Sequence, residues 1–191
     1  MELRRVIESL RHWAIASKES SVHDTKTLRH NDATTLGLND PKTPWVILLV
    51  ASGFGAGYCP IAPGTMGTVL AIPIALFFSS LGFPFYELTI VAFFFVSVWI
   101  CGRAREHWGG RDDARIVLDE IIGFLVTTLW IEKTPLFLVL GFLFFRFLDI
   151  VKPPPIRHLE KLPGGMGVVM DDVLAGGCAC VILHVIGWIG R

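Results

Sequence analysis

The chain has 191 residues, of which 52% are hydrophobic and only 18% charged, with 14 Phe and a mean hydropathy of +0.57. That is too apolar for an ordinary soluble domain and implies an integral membrane protein with one main domain. Seventeen basic and seventeen acidic residues cancel to zero net charge, so the basic excess of a nucleic-acid binder is missing and no nucleic-acid partner is expected. Cys59, Cys101, Cys178 and Cys180 include no CxxC and read as small apolar side chains.

Residues 1–43 differ in composition from residues 44–191 and are expected to form an N-terminal extension. Leu3, Val6, Ile7, Leu10, Trp13 and Ala14 recur at helical spacing, with Arg4, Arg5 and Arg11 on other faces. Residues 2–16 therefore read either as an amphipathic helix on an anionic membrane surface or as a solvated tail. Residues 17–43 are rich in Ser, Thr, Asn, Asp and Lys and read as a mobile linker.

From Trp45 onward, apolar segments alternate with short polar ones. Helices are expected over 64–81, 85–101, 118–131, 135–151 and 172–190, while 45–52 is too short to cross hydrocarbon, which takes roughly 20 helical residues. The expected fold is all-α, a compact bundle of about five to six helices, mostly membrane-embedded. Arg103, Arg105, Arg111 and Arg115 fill one loop, and Arg146, Lys152, Arg157 and Lys161 surround another. Of the intervening turns, 82–84 has no Lys or Arg and 132–134 only Lys133, so the two basic loops are expected on the cytoplasmic side.

That topology brings the acids to one face. Asp119 and Glu120 open the third helix, Asp149 closes the fourth, and Asp171 and Asp172 open the fifth. Carboxylates at the edge of hydrocarbon lose hydration unless a cation compensates them, so these five suggest a functional cluster. Hard divalent cations such as Mg²⁺ take oxygen ligands and are commonly held by a few carboxylates plus a substrate phosphate. Arg146, Lys152 and Arg157 are near enough in sequence to pair with phosphate or to neutralise the acids. Asp171 and Asp172 also suit a helix N-cap, whereas Asp149 sits unfavourably near a helix C-terminus unless Arg146 or a metal offsets it.

Two glycine-rich stretches stand out. In Gly53 to Thr68, the Pro60 and Pro63 rings stiffen a loop, and Gly64-Thr65 begins a helix whose free N–H groups suit an anion. A tight helix-packing turn explains the same stretch, which matches neither a dinucleotide fingerprint nor a P-loop. Pro163 to Gly167 reads as a flexible loop leading into Asp171.

Four blocks in order resemble the phosphatidylglycerophosphatase A family: Pro60-Ile-Ala-Pro-Gly-Thr-Met-Gly-Thr68, Ile116-Val-Leu-Asp-Glu-Ile-Ile-Gly123, Phe144-Phe-Arg-Phe-Leu-Asp-Ile-Val-Lys-Pro153 and Gly164-Gly-Met-Gly-Val-Val-Met-Asp-Asp-Val-Leu-Ala-Gly176. The resemblance covers about residues 45–190. It implies a multi-pass enzyme of the bacterial inner membrane, its active site facing the cytoplasm, that uses Mg²⁺ to convert phosphatidylglycerophosphate to phosphatidylglycerol and phosphate. Carried over by residue, it implies Asp119, Glu120, Asp171 and Asp172 as metal ligands and Asp149, with Asp119 and Glu120, as catalytic. Arg146, Lys152, Thr65 and Gly64 are then the phosphate-binding positions. Asp113 either supports the metal shell or belongs, with Asp112, to a solvated loop.

Two other classes compete. Asp112-Asp113-Ala114-Arg115 superficially echoes the opening of a CDP-alcohol phosphotransferase motif, but the downstream Gly and paired Asp spacing is missing. A non-enzymatic membrane carrier would place its acids near mid-span rather than at one end.

Overall fold

The computed structural model describes residues 43–109 and 113–190. The expected amphipathic segment 2–16 and nearly all of the linker, along with Arg111 and Asp112, lie outside the described residues. Those residues form seven α-helices and one 3₁₀ turn, with no strand among them. The helices are α1 (Trp45–Ala51), α2 (Pro63–Ser79), α3 (Phe85–Trp108), α4 (Leu118–Thr127), α5 (Pro135–Val151), α6 (Pro154–Leu159) and α7 (Met166–Ile189); the 3₁₀ turn Ala56–Tyr58 follows α1.

Three boundaries differ from expectation, each for a physical reason. Helix α3 runs past residue 101 to Trp108, because Arg103 pairs with Glu106 at 3.7 Å and Arg105 and His107 in the last turn suit the negative end of the helix dipole. It stops at Gly109, whose left-handed conformation (φ 74°) closes the end with an N–H to the Arg105 carbonyl. Helix α4 ends at Thr127 rather than 131. There the Thr127 hydroxyl bonds back to the Gly123 carbonyl at 3.0 Å and that of Thr128 to Leu125 at 3.1 Å, terminating the ladder with side chains.

Helix α7 begins at Met166, not 172, so the expected loop Pro163–Gly167 is partly helix. Its glycines serve close packing: a Cβ on Gly165 would lie 1.9 Å from the Val98 carbonyl oxygen, and one on Gly167 2.2 Å from that of Leu162. Asp171 and Asp172 are therefore about 9 Å inside the helix and cannot be its N-caps. The short helix α6 was also not anticipated. It starts on Pro153-Pro154, whose fixed φ suits a first helical turn.

The core centres on α4. Leu118, Ile121 to Leu125 and Thr127 are all buried, and the helix packs against α2, α3, α5 and most extensively α7. Phe124 meets Phe145 of α5 edge to face at 6.4 Å. At the α4–α7 contact the backbones nearly touch, since a Cβ on Gly176 would sit 2.1 Å from the Gly123 carbonyl oxygen. Only glycine fits there.

By length and composition, α3 and α7, 24 residues each, are long and apolar enough to cross a membrane. The 17-residue α2 and α5 and the ten-residue α4 are shorter. Large apolar side chains nonetheless face outward, among them Phe77, Phe95, Trp99, Leu136, Phe147, Val181 and Trp188.

The glycine contacts give a paired prediction. Gly176→Ala must push α4 from α7 and should destabilise the protein by about 1–3 kcal/mol. Gly177→Ala, whose Cβ meets nothing within 4 Å, should be neutral or gain up to about 1 kcal/mol from helix propensity. Thermal unfolding in detergent checks both, and equal shifts would contradict the close contact.

Candidate active site at one end of the bundle

The acids do converge. Asp119 and Glu120 occupy the first turn of α4, where the helix dipole favours negative charge, and the Glu120 N–H donates to Asp119 Oδ1 at 3.2 Å. Asp172 faces them from α7, and one carboxylate oxygen from each of the three lies within 4.8 Å of the others. Asp149 comes from the last turn of α5 and Asp171 from α7, both buried. With Lys152, Asp113 and Gly167, these acids line a cleft of about 160 Å³.

The cations divide the acids into two groups. Arg146 Nη1 lies 2.6 Å from Asp149 Oδ2, which offsets a carboxylate at a helix C-terminus, and 3.9 Å from Glu120 Oε1. Lys152 Nζ donates to Asp171 Oδ2 and to Glu160 Oε1, both at 2.7 Å. Arg115 grips Asp113 with both ends of its fork, at 2.8 and 2.6 Å, and stacks on Trp108 at 4.7 Å. Asp119, Glu120 and Asp172 are the acids these short pairs leave uncompensated.

Helix α4, about 15 Å long, is too short to span hydrocarbon. Within it, burial pushes the Asp119 carboxyl well above its ordinary pKa, with neighbouring Glu120 adding to the effect. Burial and then Asp172 push Glu120 up to about 8. Lys152 moves the other way in charge preference. Burial opposes its ammonium, but the hydrogen bonds to Asp171 and Glu160 outweigh that and hold it protonated well above the usual lysine range.

These three acids fit a divalent cation. One oxygen from each can lie within 4.8 Å of the others, a volume that a single small cation can share, and Glu120 Oε2 is buried with no hydrogen-bond partner among the described residues. Asp171, implied as a fourth ligand, has Oδ2 engaged by Lys152, while its buried Oδ1 has no such partner.

The remaining expected positions fall around this centre. Gly64 approaches so closely that a Cβ there would sit 2.1 Å from Glu120 Oε1 and 3.1 Å from Arg146 Nη1. It opens α2 toward the carboxylates. Thr65, next along, is half-buried and, like Arg146, outside the cleft lining. Arg157 is exposed. Two participants escaped the sequence reading: Glu160, eight residues beyond Lys152 and across a turn, and Arg115 as the clamp on Asp113. For Glu160 no periodicity or motif marks the contact.

If the cluster works as a unit, Asp119→Asn, Asp149→Asn and Asp172→Asn should each lower kcat by at least about 10²-fold with the helical fold retained. Gly64→Ala, which forces Glu120 and Arg146 aside, should reduce turnover without removing any charge. Steady-state kinetics alongside circular dichroism checks this, and normal turnover in all three Asn variants would rule the site out.

Comparison with known proteins accords with this geometry. The family model for phosphatidylglycerophosphatase A matches residues 49–187. The phosphatidylglycerophosphatase A of Escherichia coli is 37% identical over 161 residues, 83% of this chain and 92% of that protein. That of Haemophilus influenzae is 34% identical over 143 residues, 73% of this chain and 88% of its own. A Bacteroides thetaiotaomicron protein named "Putative phosphatidylinositol-3-phosphatase" is 37% identical over 153 residues, 74% of this chain and 94% of that protein. No solved structure matches. The phosphotransferase and carrier alternatives find no support among these relatives. The carboxylate cluster, the four sequence blocks around it and a match across most of the described residues make this chain a phosphatase, a member of the phosphatidylglycerophosphatase A family.

Proposed function

We propose that the protein is a Mg²⁺-dependent lipid phosphatase that hydrolyses phosphatidylglycerophosphate to phosphatidylglycerol and phosphate. The observation that carries this reading is the trio Asp119, Glu120 and Asp172, none of them held in a short ion pair, beside a protonated lysine in a cleft large enough for a phosphoryl group. Those three side chains would hold the ion, with Asp171 beside them. Bound there, Mg²⁺ would polarise the phosphoryl group and acidify a water.

The protein's own groups supply the rest. Lys152 presents its ammonium to a phosphate oxygen, and the first-turn N–H groups of Gly64 and Thr65, which lack intrahelical partners, would be available to an anion beside Glu120. Arg146 orients the Asp149 carboxylate, which accepts a proton from the attacking water. The new bond joins water oxygen to phosphorus, the phosphorus–glycerol oxygen bond breaks, and the glycerol oxygen takes a proton from solvent water as it leaves, Asp149 returning its own to solvent.

Phosphate release from phosphatidylglycerophosphate in mixed micelles should require Mg²⁺ and stop with excess chelator. Because one relative is named for a phosphoinositide, phosphatidylinositol 3-phosphate is the informative comparator. A higher kcat/KM for it would move the substrate assignment, and activity unaffected by chelator would remove the metal.

The same reading places the enzyme in a bacterial inner membrane, spanning it more than once, with the cleft toward the cytoplasm. Supporting it are α3 and α7 and the gathering of Arg103, Arg105, Arg115, Arg146, Lys152, Arg157 and Lys161 in the segments at the cleft end. In a background without native cysteines, Glu106→Cys and Lys161→Cys should resist an impermeant thiol reagent on intact cells. Glu132→Cys should react. The opposite pattern would invert the orientation.

A further inference from the structure

Lys152 ends α5 in the left-handed conformation, φ 44° and ψ 67°, which is unfavourable for a side-chain-bearing residue and more so before a proline. Such strain persists where the surroundings fix it. Here it turns the chain into α6 while leaving the lysine side chain at the cleft. Helix α6 then brings Glu160, its C-terminal flanking residue, back to Lys152.

An ammonium has three N–H donors. One goes to Asp171 Oδ2 and one to Glu160 Oε1, each at 2.7 Å. A single N–H remains for a ligand in the cleft that Lys152 lines. Asp171 alone would neutralise the lysine. A second carboxylate on the same ammonium adds like-charge repulsion, and the Lys152–Glu160 pair, with both side chains about a third exposed, contributes little stability. What Glu160 adds is direction: with two donors pinned on different helical segments, the third cannot rotate freely.

We propose that Glu160 is a positioning residue for Lys152, fixing the one free N–H toward a phosphate oxygen of the substrate. This rests on the reading that Lys152 holds the phosphate. Glu160→Gln should lower kcat/KM by about 10-fold to 100-fold and weaken competitive inhibition by inorganic phosphate in parallel. Half-activation by Mg²⁺ should not move, and Glu160→Asp should restore part of the loss.

The decisive measurement is a double-mutant cycle with Lys152→Met. If Glu160 acts through the lysine, Glu160→Gln has no further effect in that background; if the two losses multiply, the proposal is overturned. Should Lys152→Met alone leave turnover and phosphate inhibition intact, the phosphate-holding role fails, and the proposal with it. Where Lys152→Met does not fold because Asp171 loses its partner, Lys152→Arg replaces it. Arginine keeps the charge but alters the reach, so the Glu160→Gln loss must shrink there, and an undiminished loss would overturn the proposal.

Discussion

The contact between α4 and α7 is the constraint on which the site depends. Asp119 and Glu120 belong to one helix and Asp172 to the other, so the spacing of the carboxylates is set by how closely the two backbones approach. Gly123 and Gly176 permit that approach, one turn of α4 and one turn of α7 beyond the acids. Gathering three carboxylates in so small a volume is unfavourable on electrostatic grounds. The packing around Phe124, Phe145 and Ile122 holds them together regardless, so the proposed divalent cation would find its ligands already in place.

A ten-residue helix at the centre of an apolar bundle raises a second problem, since its C-terminal carbonyls end where water is scarce. Backbone N–H groups of the following turn satisfy the carbonyls of Phe124 and Val126, and side chains reach others. The Tyr86 hydroxyl bonds the Leu125 carbonyl and shares a hydrogen bond with the Thr128 hydroxyl, Lys133 Nζ donates to the Thr128 carbonyl at 2.8 Å, and the Cys180 thiol donates to Leu129. Non-helical backbone inside a membrane protein is tolerated where protein groups satisfy it in this way. Lys133, the lone basic residue of its turn, is thereby explained as a helix cap as well as a charge.

Much of this was legible in the sequence. The all-helical class followed from apolar segments broken by short polar ones, and the expected 135–151 helix matches α5, which Thr134 caps and Pro153 follows closely. The convergence of the acids followed from alternating charge in the loops. What misled was glycine: Gly164 to Gly167 reads as a loop by composition, whereas Gly165 and Gly167 are there for close packing at the start of α7. Sequence also treats Asp171 and Asp172 as equivalent neighbours. On a helix, successive residues point about 100° apart, which sends Asp171 to Lys152 and Asp172 toward Asp119 and Glu120. Glu160 was invisible for a related reason, because its contact with Lys152 is made by the path of the short helix α6 rather than by periodicity.

The depth of the cleft bears on the kind of phosphate it can serve. Asp172 lies about 9 Å inside α7, and α3 and α7 are each about 36 Å long against a hydrocarbon core of about 30 Å. In the proposed membrane placement, the excess helix length puts the carboxylates near the boundary between headgroups and hydrocarbon. A lipid phosphomonoester already resides at that level, tethered by its acyl chains. A small soluble phosphate ester would have to leave water to reach the same point. In that placement the site would favour lipid substrates through its position, before any contact with the headgroup is made.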